Sequence, residues 1–239
     1  MARDIPNAND NHVVIPDIPA QSGAGTWSIS VWFEHDAQAG SAQWVYYATN
    51  GAGDYMQFFW DGTSVYRTRW DVNGTGELVD ATIAEVPLNV WHNYICTYDG
   101  SNVRVYIDGT EIAGSPNAAA GGLDNVATFT LGNTANNLNP WDGDIAEFAQ
   151  WSRALKVGEI TAIAKGVPAS KFYPNQVYVP LWGGTERDYG PFHYAVTVTG
   201  TTTTAHPPIA PHWGYDAALP FVVAAAPATG NPWYAYAQM

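Results

Sequence analysis

Three carboxylates crowd into six residues at Asp142-Gly143-Asp144-Ile145-Ala146-Glu147, and a pair of carboxylates is the equipment of glycoside hydrolysis. The spacing works against that chemistry. A strand sends alternate side chains to opposite faces, so Glu147 is expected to point away from Asp142 and Asp144 unless a bulge intervenes. His12, His35, His92, His193, His206 and His212 show neither a helical i, i+4 spacing nor a coupling to cysteine, and no zinc site is expected. No glycine loop suited to cradling phosphate and no Ser-His-Asp set in a motif context is present. Aromatic side chains between residues 55 and 70 are suited to stacking on sugar rings. If Asp61-Gly62 is a two-residue turn, Tyr55, Gln57, Phe59, Tyr66 and Trp70 share one face, and Met56, Phe58 and Val65 share the other with Arg67 and Arg69. Which of the two faces is core stays open, and filling a core or an intersubunit contact is the competing role for these rings.

The elements that must carry these residues are short strands. Trp27 to Phe33 alternates with period two, as a half-buried antiparallel strand does. Strands are expected at 55–60 and 64–70, joined at Asp61-Gly62, and at 91–98 and 103–107, joined at Asp99-Gly100. A further hairpin turn is expected at Asp108-Gly109. Others are expected at 128–131, 145–151, 176–181 and 194–199. One helix is expected at 156–165, where Ile160, Ile163 and Ala164 form a short apolar stripe. Many short strands with Gly, Asn or Asp turns describe a sandwich or barrel. From His206 the composition changes: Pro207, Pro208, Pro211 and Pro227 cannot supply full ladder donors. The segment 206–239 is therefore read as an extended arm, too apolar for a solvated linker because of Trp213, Tyr215, Phe221, Trp233 and Tyr234.

The chain of 239 residues has 46% hydrophobic and 14% aromatic residues, enough apolar surface for a core. Nine basic against 22 acidic residues give a net charge of −13, which disfavours nucleic acid and anionic membranes as partners. The stretch from Met1 to Asn11 is polar and lacks a signal-peptide core. Cys96 is the only cysteine, which excludes an intrachain disulfide; a buried strand position is its expected place.

The run Trp91-His92 through Thr97-Tyr98-Asp99-Gly100, with Val103 to Ile107 and Asp108-Gly109, resembles the central signature of laminin-G-like, concanavalin A-like jelly rolls. Trp141 to Phe148, then Trp151 to Leu155 and Glu159-Ile160, resembles the last strand and following helix of that family. Gln176 to Trp182, with Asp188, Gly190 and Val196 to Gly200, resembles the strand pair that usually opens such domains, here placed after the helix. The resemblance implies an all-β, two-sheet antiparallel jelly-roll sandwich over residues 1–205, with permuted last strands at 176–200.

Against the Glu-x-Asp-x-x-Glu of jelly-roll glucanases, Asp142 stands a methylene short at the nucleophile position, so no enzymatic activity is expected. Related domains often hold Ca²⁺ on one rim, for which Asn133, Asn136, Asn137, Asp142 and Asp144 are suitable donors. Ala146 replaces a frequent carboxylate, however, and no cofactor is expected. Asn136, Asn137, Trp141 and Asp142 are the candidate ligand-binding residues. The permuted order, the Thr-rich step and the His-Pro-Pro segment are similar to stand-alone proteins encoded among bacteriophage structural genes. That similarity implies a capsid decoration or accessory protein on the virion surface, made in the host cytoplasm. Its partners would be the major capsid protein, copies of itself and host glycans. The alternative is a glycan-binding, lectin-like module.

Overall fold

A computed structural model describes residues 1–210, apart from 9, 19–24, 39, 52, 73–74, 119–126, 174–175 and 184. Alternating strands stack into two antiparallel sheets. The nine-stranded sheet contains β1 (Ala2–Ile5), β3 (Trp27–His35), β8 (His92–Tyr98), β9 (Asn102–Ile107), β10 (Thr110–Glu111), β11 (Asn117–Ala118), β13 (Gly143–Trp151), β14 (Val177–Val179) and β16 (Thr202–Thr204). Its order is β10-β9-β8-β3-β13-β1-β16, with β11 against β9 and β14 against β13. The seven-stranded sheet contains β2 (His12–Ile18), β4 (Gln43–Thr49), β5 (Tyr55–Trp60), β6 (Val65–Val72), β7 (Thr75–Thr82), β12 (Ala127–Leu131) and β15 (Thr197–Thr199), ordered β15-β2-β12-β4-β5-β6-β7. The expected sandwich is therefore present, and the strands at 176–181 and 194–199 appear as the shorter β14 and β15.

Between the sheets lies one apolar core. Ile29, Val31, Phe33, Val105 and Ile145 come from one sheet, and Val13, Ile15, Phe58, Trp60 and Phe129 from the other. Side-chain parity explains the choice, because the core-facing residues of each strand are two apart. Asp108 and Gly109 both take positive φ (51° and 78°) and close β9 onto β10 as a two-residue turn, as expected.

Asp61-Gly62 does not close a two-residue turn. The last ladder pair is Trp60↔Tyr66, and Asp61 N–H donates to Val65 O at 3.0 Å. The Asp61 carboxylate accepts from the N–H groups of Thr63, Ser64 and Val65 and so organises a longer loop. Five residues instead of two separate the last pair, and this shift of three, an odd number, exchanges the faces of the whole partner strand. Tyr66 and Trp70 join Met56, Phe58 and Trp60 in the core, while Arg67 and Arg69 stand beside Phe59, Gln57 and Tyr55.

The outer face of the nine-stranded sheet is largely covered. Helix α1 (Val157–Ala164) lays Ile160 and Ile163 on Ile95, Tyr106 and Trp151. Glu159 accepts from Lys156 N–H at 2.8 Å and takes a bidentate pair from Arg153, which closes the first turn. Further along, residues 206–210, the beginning of the expected arm, lie on the same sheet. Ile209 packs with Ala2, Trp32, Trp91 and Ala146, and Ala210 N–H donates to Gly166 O at 2.8 Å. The arm residues Trp213, Tyr215, Phe221, Trp233 and Tyr234 lie outside the described residues. A chain ending at residue 205 is expected to melt several degrees below one ending at 210, since about 1 kcal/mol moves the midpoint of a domain this size by 2–4 °C. Equal midpoints in a thermal scan of the two chains would show that Pro207 and Ile209 contribute nothing to stability.

Candidate functional site

The carboxylates expected around Asp142 form a row. Asp144 on β13 is the direct cross-strand neighbour of Glu34 on β3 and of Asp4 on β1. Burial first, and then the charges of Asp36, Asp4 and Glu34, push the Asp144 carboxyl up to about 7, against a hydrogen bond from Thr204. Asp36 is raised by burial and by Asp142 and Asp4. Asp142 is raised by burial and Asp4, and Glu34 by burial and Asp36. Like charges facing one another in this way favour protonation.

Glu147 joins that face, contrary to simple alternation. The β3–β13 register shifts between Ala146 and Ala149, and Glu147 has φ 54°, which marks a bulge. Ala146 and Ala149 both pack on the outer side, and Phe148 returns to the core. The Glu147 carboxylate is nevertheless closed off. It is 1% exposed, and Tyr178 Oη donates to Oε2 at 2.8 Å. His206 Nε2 stands 3.3 Å from Oε1, within ion-pair range but off a hydrogen-bonding line.

The asparagines expected near the rim serve the loop. Asn133 Oδ1 accepts from the N–H groups of Thr134 and Asn139, and Thr134 Oγ1 donates to Asn136 Oδ1 at 2.7 Å. Asn137 sits at φ 56°. Trp141 is fully buried; its ring stacks on His35 at 4.1 Å and its Nε1 donates to Glu34 O at 3.1 Å. The Asp142 side chain is half-buried, and its carbonyl accepts from Asp36 N–H. Among the described residues, no three His, Cys, Asp or Glu side chains are arranged to hold a metal ion. Cys96 is buried as expected, and burial pushes its thiol up to about 12, which leaves no reactive thiolate at neutral pH.

A different surface combines open aromatic rings with hydrogen-bonding groups: the outer face of the seven-stranded sheet. Cross-strand pairing sets Trp44, Phe59, Arg67 and Asp80 in one row, and Tyr47, Gln57, Arg69 and Leu78 in the next. The rings of Trp44 and Phe59 stack at 4.5 Å and 8°. Trp44 Nε1 donates to Gln57 Oε1 at 3.3 Å, and Tyr55 stacks on Tyr47 at 6.4 Å. Arg67 forms a bidentate pair with Asp80 at 2.8 and 2.9 Å. Phe59, Arg67, Arg69 and Leu78 line a shallow depression of about 170 Å³. Trp44, Tyr47 and Tyr55 are each part-exposed and so keep ring surface in solvent.

Trp44 and Tyr47 are not among the residues expected from sequence, because β4 is not among the expected strands. Its signal is present: Trp44-Val45-Tyr46-Tyr47 is a run of aromatic and β-branched residues, and Gly51 and Gly53 punctuate the chain before Tyr55.

A family model described as the concanavalin A-like lectin/glucanases superfamily matches residues 7–161. No curated protein matches the sequence. Among solved structures, a candidate carbohydrate-binding protein from Bacteroides ovatus superposes with a TM-score of 0.62 at 18% identity, covering 87% of this chain and 61% of that one. The binding domain of botulinum neurotoxin serotype D gives 0.55 at 12% identity over 68% of this chain and 41% of its own. A heptameric SAP-like pentraxin from Limulus polyphemus gives 0.52 at 12% identity over 68% and 80%. At these identities the likeness is one of fold.

Proposed function

Because the chain belongs to the concanavalin A-like lectin/glucanase superfamily, we propose that it acts as a non-catalytic glycan-binding module through the outer face of the seven-stranded sheet. The observation that carries this reading is the solvent-facing array of Trp44, Tyr47 and Tyr55 around Gln57 and Arg69. Rings offer flat apolar area to the C–H face of a pyranose, while amide and guanidinium donors fix its hydroxyls. The fold neighbour from Bacteroides ovatus supports the same class of ligand. The absence of catalysis is supported by the closure of Glu147 beneath Tyr178 and His206.

Trp44→Ala is expected to weaken binding to a panel of soluble oligosaccharides by about tenfold or more, the scale on which truncating a central aromatic ring weakens a binding site. Its melting temperature should stay within a few degrees of the parent, because the ring is only partly buried. Titration calorimetry on both proteins is the measurement. Undiminished binding in the variant would move the site elsewhere.

A second reading is compatible with the first: display on a bacteriophage capsid or tail, beside the major capsid protein and copies of the chain itself. It is supported by the aromatic-rich composition beyond residue 205 and by the net charge of −13, which disfavours nucleic acid. Copurification of the protein with intact particles tests it, and its absence from particles removes the reading.

A further inference from the structure

Resting on the glycan-binding reading, we propose that this face recognises a carboxylate-bearing sugar, with Arg69 as the anion contact and Trp44 as part of the stacking surface. The chain has only nine cationic side chains against 22 acidic ones, and most of its arginines are engaged. Arg3 pairs with Glu186, Arg67 with Asp80, Arg104 with Glu111 and Arg153 with Glu159. Arg187 lies over Tyr189, beside the nine-stranded sheet. Arg69 is exposed and lies over the Tyr55 ring at 4.8 Å, and no described carboxylate forms an ion pair with it.

The contact with Tyr55 holds the guanidinium above the sheet while its N–H donors remain unspent on any carboxylate. Its cross-strand partner Gln57 accepts from Trp44 through Oε1, which leaves the amide nitrogen as a donor. Asp71 is occupied by the Tyr55 hydroxyl and Asp80 by Arg67. Arg67 and Arg69 oppose these two carboxylates, so the face is less acidic than the chain as a whole, with its 9 basic against 22 acidic residues. A planar carboxylate matches the parallel N–H groups of a guanidinium, which a neutral hydroxyl pair does not exploit.

The experiment titrates the parent, Arg69→Gln and Trp44→Ala with oligogalacturonates, neutral xylo-oligosaccharides of the same length and sulfated galactan oligomers. The parent is expected to bind oligogalacturonate more tightly than the neutral series, with affinity falling as salt rises. Arg69→Gln should lose about tenfold or more on oligogalacturonate, the scale of a hydrogen bond to a charged group, and lose its salt dependence, while its neutral-sugar binding stays at the parent value. Trp44→Ala should weaken both series. If Arg69→Gln binds oligogalacturonate as the parent does, or if sulfated oligomers bind more tightly than carboxylated ones, the carboxylate assignment falls while the glycan reading stands. If none of the three sugars binds the parent at millimolar concentration, both fall together.

Discussion

Gly143→Ala is expected to unfold the domain or to cost about 4 kcal/mol or more, the upper end of what single substitutions do. Gly143 has φ 148°, a conformation that L side chains rarely adopt, and a Cβ at this position would overlap the carbonyl oxygen of Glu34. That oxygen also accepts the indole N–H of Trp141, whose ring is sandwiched into the core beside His35 and Phe33. Moving the Glu34 backbone to admit a methyl group would therefore disturb the start of the β3–β13 ladder and a fully buried tryptophan together. Gly158→Ala is the control. It lies in α1 with nothing near its missing Cβ, and alanine there should be neutral or stabilising by up to about 1 kcal/mol. Urea unfolding of the two variants separates the outcomes. Equal midpoints would mean that β13 tolerates a side chain at its first residue.

A second expected result is that two buried groups impose opposite pH slopes on the stability of the protein. Folding lifts the Asp144 carboxyl from 3.8 to about 7, through burial and the neighbouring carboxylates. The folded state therefore carries the extra proton between about pH 4 and 7, and this contribution is full below pH 4 and lost as the pH rises to 7. His35 behaves in the opposite sense. Burial lowers it from 6.5 to about 4, and the neutral ring donates from Nε2 to Gln43 Oε1 while Nδ1 accepts from the Tyr66 hydroxyl. Its contribution is full above pH 6.5 and is lost as the pH falls to 4.

Each slope is about 1.4 kcal/mol per pH unit. Between pH 4 and 6.5 the His35 contribution opposes that of Asp144, and the raised Glu34, Asp36 and Asp142 carboxyls add to the Asp144 side. Relative to the parent, Asp144→Asn should gain stability with rising pH across that window, and His35→Gln should lose it. Denaturant midpoints at half-unit pH steps test the claim, whatever each substitution costs in absolute stability. Profiles parallel to the parent in both variants would overturn it.

Strand period and hydrophobic alternation made the sandwich legible, because a residue such as Val31 or Val105 has one face to choose and the core takes it. The faces of the 55–70 hairpin were not legible, because one residue of loop length reverses them all. That length goes with the Asp61 carboxylate gathering three backbone N–H groups of its own loop, one of several local turns that an Asp-Gly pair permits. Glu147 illustrates the same limit. Its side-chain direction depends on a bulge that accommodates Pro180 O, which accepts from Glu147 N–H. The Asn-rich rim was visible as a set of oxygen donors, but hydrogen bonds within its own loop already occupy Asn133 and Asn136.

The hydrogen bond from Thr202 to Asp4 joins residues 198 apart in the chain, and β1 sits between β13 and β16. Closing so long a loop adds little to the equilibrium cost, which grows only logarithmically with length. Its effect falls on rate. The meander from β4 to β7 needs only neighbouring segments and is available early, whereas β1 must wait for partners from the other end of the domain. Folding speed drops as contacting residues lie further apart. The seven-stranded sheet would thus gain much of its ladder while the edge beside Asp144 was still open, leaving β13 with an unpaired side for the longest part of the folding reaction.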